Sequence, residues 1–211
     1  MVHFNNLLVK PHYIKLLISM AGWDQKLNQR SLYNQTAHIY DLRYHDEQQS
    51  KIKYILANLD ADLHGLVLDL GCGTGLLLQE LPIVGEIIGL DLSRCMLKKA
   101  RNHGKGFERI HFILGDADNI PVRDRYFDTI FGITLLQNMP DPNITIQEIK
   151  RVAKTTALII VTGLKMHFTN ESFTKLFQTA ELKIKWLKTN HNQKYHIACI
   201  VVKKKPLAAE L

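Results

Sequence analysis

The chain has 211 residues, 46% of them apolar, a formal net charge of +7 and three cysteines. That is enough apolar material for one sizeable core and too few scattered cysteines for a disulfide framework; no metal site is expected. The apolar run Ile14 to Ala21 falls well short of the ~18 residues a membrane span needs and carries no signal-cleavage pattern, so a cytoplasmic protein is expected.

Charge is unevenly placed along the chain. Residues 1–30 carry four basic residues against one acidic, residues 31–180 sixteen against seventeen, and residues 181–211 seven against two. Residues 1–30 match no pattern and read as an extension of unassigned role. The next segment, Tyr33-Asn34-Gln35-Thr36-Ala37-His38-Ile39-Tyr40-Asp41-Leu42-Arg43-Tyr44, is rich in aromatic residues.

The most informative stretch follows: Val67-Leu68-Asp69-Leu70-Gly71-Cys72-Gly73-Thr74-Gly75, with a helical pattern from Leu76 to Leu81. A buried strand that ends in a glycine turn and opens a helix presents backbone N–H groups to a nucleotide-type ligand. Leu76 stands where the dinucleotide fingerprint G-x-G-x-x-G needs its third glycine, and no Gly-Lys-Ser/Thr follows for a phosphate loop. Asp69, two residues before the first glycine, suits a cationic ligand better than a pyrophosphate. The segment from Ile87 reads as a short apolar strand ending in Asp91, twenty residues after Gly71, the spacing that lets a carboxylate accept both ribose hydroxyls of an adenosine. Ser93 is expected to cap the helix Arg94 to Asn102.

These residues resemble motif I and its following acidic position in the class I S-adenosylmethionine-dependent methyltransferases, and the chain is similar to the compact type 11, ubiquinone-biosynthesis-like branch. The resemblance covers roughly residues 31–204. It implies a doubly wound α/β fold with a mostly parallel seven-stranded sheet and an antiparallel last strand. It also implies S-adenosylmethionine as cofactor. Asp69 and the loop Gly71, Cys72, Gly73 and Gly75 would hold its methionine end and Asp91 its ribose. Asp116 and Ala117 would meet the adenine, with Leu92 packed on the ring. Residues 31–60 would be a lid within a domain spanning 31–205, followed by a tail at 206–211. Tyr40 would stand near the methionine end, where an aromatic face attracts a sulfonium; equally, Ile39 and Tyr40 would only fasten the segment to the core.

Further along, Ile110 to Leu114 reads as a strand ahead of Gly115-Asp116, and Asp118 as a turn residue. The strand Tyr126 to Ile133 leads into Thr134-Leu135-Leu136-Gln137-Asn138-Met139-Pro140. In the family Ile133 to Gln137 would line the methyl-facing mouth. Gln137-Asn138 stand where many small-molecule methyltransferases carry a histidine, the usual base near pH 7. Their amides orient a substrate without taking its proton, and Asn138 either meets substrate or caps the next helix. His38 and His45 are the nearest imidazoles. Cys72, Cys95 and Cys199 read as small buried residues rather than nucleophiles.

Pro142 to Lys154 is expected to be helical, Thr156 to Thr162 a fifth strand, and Asn170 to cap a helix ending near Ala180. Leu182 to Lys188 and Tyr195 to Val202 form a closing hairpin. The lysines 183, 185, 188, 194 and 203–205 make the end of the chain basic. They either attract a polyanion, RNA first, or protect a sheet edge. The reaction expected is methyl transfer, with a slight preference for RNA over a small molecule as acceptor. A binder without catalysis is the third reading. Several methyltransferases of this size that act on RNA or translation factors depend on a small zinc-ribbon activator, a partner the resemblance allows; no membrane partner is expected.

Overall fold

The computed structural model describes residues 3–4, 7–8, 11–59, 63, 65–81, 85–106, 108–189 and 194–202. Lys203-Lys204-Lys205, the tail 206–211 and most of the loop Thr189 to Lys194 lie outside the described residues. The elements run β1 (His3–Phe4), β2 (Leu7–Leu8), α1 (Pro11–Ala57), β3 (Leu66–Leu70), α2 (Leu76–Glu80), β4 (Glu86–Asp91), α3 (Arg94–His103), β5 (Ile110–Leu114), β6 (Phe127–Gly132), α4 (Pro142–Val152), β7 (Ala153–Leu164), α5 (Asn170–Thr179), β8 (Leu182–Lys188) and β9 (Tyr195–Val202). One 3-10 turn spans Leu136–Asn138.

Seven strands form one sheet in the order β5-β4-β3-β6-β7-β9-β8. The first five run parallel, and β9 is antiparallel to both β7 and β8, as the sequence implied. Helices cover both faces, so β3 is buried from Val67 onward and reads as a continuous apolar run. On one face Ile146, Ile149 and Val152 of α4 and Phe173 and Phe177 of α5 are fully buried against Leu68 and Leu70. On the other, Ile52 and Ile55 of α1 and Leu76, Leu77 and Leu78 of α2 pack on Val67, Ile87 and Phe131. Each such side chain contributes ~1.5–3 kcal/mol. The strand order turns around between β3 and β6, which opens a crevice at the carboxyl ends of β3, β4 and β6.

Several local expectations need correction. Asp141, not Asn138, caps α4, accepting from the Asn143 N–H at 2.9 Å. Thr169, not Asn170, caps α5, because its hydroxyl reaches the Ser172 N–H. Helix α4 stops at Val152 and β7 begins at once, so Lys154 is a strand residue paired with Asp128. Cys95 is exposed, since the first turn of α3 turns it outward; Cys72 and Cys199 are buried. Ser93 caps α3 through Met96 N as expected.

Helix α1 is continuous from 11 to 57 and passes residue 30 without a break. Strand β8 forms the sheet edge, four places from β3, roughly 19 Å away at ~4.8 Å per strand. Lys183 and Lys185 are both exposed there, and a register shift between Ile184 and Trp186 interrupts the alternation that would put them on one face. Among the described residues no helix is long and apolar enough to cross a membrane.

Candidate functional site

The crevice is built first by the end of β3. Asp69 is 3% exposed, and its Oδ2 has no hydrogen-bond partner among the described residues. Burial, and then the charge of Asp91, push its carboxyl up to about 8. The chain then turns through Gly71, Gly73 and Gly75, all at positive φ. A Cβ on Gly75 would press on Ala100 at 3.2 Å, whereas one on Gly73 would meet nothing within 4 Å. Gly75 therefore serves packing, and Gly73 borders open space.

Strand β4 delivers Asp91 beside that turn. Its carboxylate accepts from Gly73 N at 2.9 Å and Ser93 N at 2.7 Å, which aligns it while leaving lone pairs for further donors. Asp116 and the buried Ala117 follow β5 on the same side. Leu90, Leu92, Met96, Ile133 and Leu135 supply apolar walls.

The fourth wall comes from α1. Lys26, 8% exposed, places Nζ 2.9 and 2.7 Å from the two oxygens of Asp116. Asn34 Oδ1 accepts from Ser93 Oγ at 2.7 Å, the Tyr33 hydroxyl accepts from Asn138 Nδ2 at 3.0 Å, and Asp41 accepts from the Thr74 hydroxyl. Lys99 closes on Asp41 at 3.4 Å. Tyr40 stacks edgewise and tilted between Tyr33 and Tyr44, and burial keeps its hydroxyl protonated far beyond the usual range.

Past β6 the chain turns at Thr134, a non-glycine residue at φ 59. Such a conformation costs about 1 kcal/mol and persists where neighbours over-determine it. Here Thr134 N donates to Thr162 Oγ1 at 2.8 Å, and its carbonyl accepts from Gln137 Nε2 at 2.7 Å and Asn138 Nδ2 at 3.2 Å.

Asp69, Gly71, Cys72, Gly73, Asp91, Leu92, Asp116, Ala117, Ile133, Asn138 and Tyr40 all line this one cavity. Gly75 lies behind it, and Gln137 turns back to the Thr134 carbonyl with its own Oε1 buried and without a partner among the described residues. His38 and His45 do not reach it. Sequence reasoning passed over Lys26, Gln29, Arg30, Tyr33 and Gln48, the α1 residues that complete the lining. For the first four, spacings of three and four along one helix were the available signal. The unpartnered Asp69 oxygen, the Asp91 carboxylate and the open cradle at Gly73 fit a ligand with an ammonium at one end and a ribose at the other.

Two sequence comparisons agree with that chemistry, and a structural one with the fold. Residues 62–205 match a family model described as a methyltransferase domain. The demethylmenaquinone methyltransferase of Staphylococcus haemolyticus is 29% identical over 163 residues, covering 66% of this chain and 67% of that protein. A malonyl-[acyl-carrier protein] O-methyltransferase of a Marinomonas species is 31% identical over 153 residues, covering 70% of this chain and 54% of that one. The chain thus spans about half to two thirds of the length of these relatives. Among solved structures, the complex between the Haloferax volcanii Trm112 methyltransferase activator and a methyltransferase contains a chain of the same fold. Its TM-score is 0.71 at 18% identity, covering 81% of this chain and 97% of that one.

Proposed function

From the premise that this chain belongs to the class I S-adenosylmethionine-dependent methyltransferases, we propose that it methylates a small-molecule acceptor held under helix α1. Bound in the cavity, S-adenosylmethionine supplies a methyl group on a sulfonium, a good leaving group. Asp69 and the Gly71–Gly75 turn hold the ammonium end, Asp91 accepts from both ribose hydroxyls, and Asp116 with the Ala117 backbone receives the adenine edge. Leu92 lies against the ring. Tyr33, Tyr40, Ile133, Thr134 and Asn138 surround the acceptor and keep water out.

The observation that carries this reading is the roof. Helix α1 is tied across the crevice by Lys26–Asp116, Asn34–Ser93 and Tyr33–Asn138, which leaves room for a small acceptor rather than a duplex or a folded RNA. The lysines of β8, which favoured RNA, stand at the far edge of the sheet. The acceptors named for the relatives, a demethylated quinone and a malonyl thioester, define the first chemistry to try. A zinc-ribbon activator stays within the proposal, supported by the likeness to a methyltransferase in complex with the Trm112 activator.

The test is to incubate the protein with methyl-labelled S-adenosylmethionine and, separately, reduced demethylmenaquinone, malonyl-acyl carrier protein and total RNA. Label in one of the first two, insensitive to salt, is the expected result. Label in RNA that falls steeply with ionic strength would overturn the small-molecule reading.

A further inference from the structure

Lys51 is fully buried on the sheet-facing side of α1, one turn beyond Gln48. Its Nζ lies 2.9 Å from Thr134 Oγ1 and 3.2 Å from Gln48 Oε1, and the Thr134 hydroxyl lies 3.1 Å from the same Gln48 oxygen. The three groups close a triangle. Thr134 and Gln48 line the cavity, and Lys51 stands directly behind them. Around the amine are the Tyr195 ring of β9, whose centroid is 4.6 Å away, and Glu47 of α1, half-exposed with its nearest oxygen at 3.9 Å. Among the described residues no carboxylate reaches Lys51 at hydrogen-bond distance. Such burial favours the neutral amine and lowers its titration to about 8, with Glu47 opposing.

We propose that Lys51, acting through the Thr134 hydroxyl, takes up the proton that the acceptor sheds on methylation, so that the acceptors are molecules whose reacting atom carries an acidic O–H or C–H. This rests on the cavity being the methyl-transfer site argued above. As the bond between acceptor and methyl carbon forms and the carbon–sulfur bond breaks, the acceptor's proton passes to Thr134 Oγ. The threonine's own proton passes to the Lys51 lone pair, leaving an ammonium that donates to Gln48 Oε1 and Thr134 Oγ1. Before transfer the threonine donates to the neutral amine and the amine to Gln48 Oε1; after it the ammonium donates to both, and the threonine hydroxyl turns to Gln48 Oε1. Lys51 is thus a positioning residue and proton holder, and Thr134 is the group that meets the acceptor. The arrangement supplies the base that Gln137-Asn138 lack.

Two readouts test it. In cofactor-free protein with lysine labelled at the ε carbon and ζ nitrogen, NMR titration should show one amine turning over near pH 8, absent in Lys51→Arg. Titration of that amine above 10 would overturn the proposal. With reduced demethylmenaquinone, kcat of the wild type should rise through about pH 8. Lys51→Met and Thr134→Val should lose on the order of 100-fold in kcat and lose the inflection, while Thr134→Ser keeps it. Retention of the inflection in Lys51→Met would also overturn it. If the wild type binds S-adenosylmethionine but methylates neither test acceptor, the acceptor reading fails alone, and the NMR titration still decides the role of Lys51.

Discussion

Lys26 Nζ lies 2.6 Å from Asp118 Oδ2 and 2.7 Å from Asp116 Oδ2, so one ammonium from α1 bridges both carboxylates of the loop after β5. In the proposed arrangement Asp116 is also the acceptor for the adenine amino group. Lys26 and the nucleobase therefore share one partner. Lys26→Met leaves two largely buried carboxylates unpaired, a loss on the order of 3 kcal/mol. The cofactor-free variant is expected to melt earlier than the wild type, and saturating S-adenosylmethionine to raise its Tm by more than it raises the wild type's. Equal increments in a thermal-shift assay would show that the two do not compete.

Asp69 predicts a trade between stability and binding. Its carboxyl titrates at about 8 in the fold against 3.8 ordinarily, so the native state holds the proton more tightly than the unfolded chain. Raising the pH from about 4 to about 8 therefore costs stability through this group. Asp69→Asn removes that cost: its melting advantage over wild type should be absent near pH 4 and grow up to pH 8. The same variant should bind S-adenosylmethionine at least about tenfold more weakly, because a buried carboxylate no longer meets the ammonium. Calorimetry of the wild type at pH 7 in buffers of different ionisation enthalpy should report proton release on binding.

The glycines of the turn separate folding from function. Gly75→Ala forces a Cβ at φ 83 into contact with Ala100 and Leu78, a strain of ~1–3 kcal/mol that denaturant unfolding would measure. Gly73→Ala has open space before it and should fold with a loss of about 1 kcal/mol. That space is the one proposed for the cofactor, so Gly73→Ala should lose S-adenosylmethionine binding while keeping a cooperative unfolding transition.

The sequence displays β3, the glycine turn, Asp91 and the Ser93 cap because each is dictated locally: short apolar runs for buried parallel strands, glycine for positive φ, serine for an N-cap. Helix α1 was far less legible. Its inward stripe runs through Lys26, Tyr33, Ala37, Tyr40, Gln48, Lys51 and Ile55 at spacings of three, four, seven and eight. Polar residues interrupt the stripe because half of it roofs a polar cavity instead of an apolar core, so apolar periodicity never emerges. Lys51 was passed over for the same reason, since a lysine beside Ile52 reads as solvent-facing until the sheet is in place. Gln137 shows the converse. Its position was legible, but the left-handed turn at Thr134 that captures its amide depends on Thr162, 28 residues away.

Titration of S-adenosylmethionine into the wild type and Asp91→Ala by calorimetry is the sharpest test of the proposed cofactor site, because Asp91 fastens the glycine turn and is proposed to hold the ribose. One site per chain is expected in the wild type, with a loss of about 10- to 100-fold in Asp91→Ala, the worth of the charge-assisted hydrogen bonds removed. Equal affinity in the two proteins would place the cofactor elsewhere and contradict the proposed site.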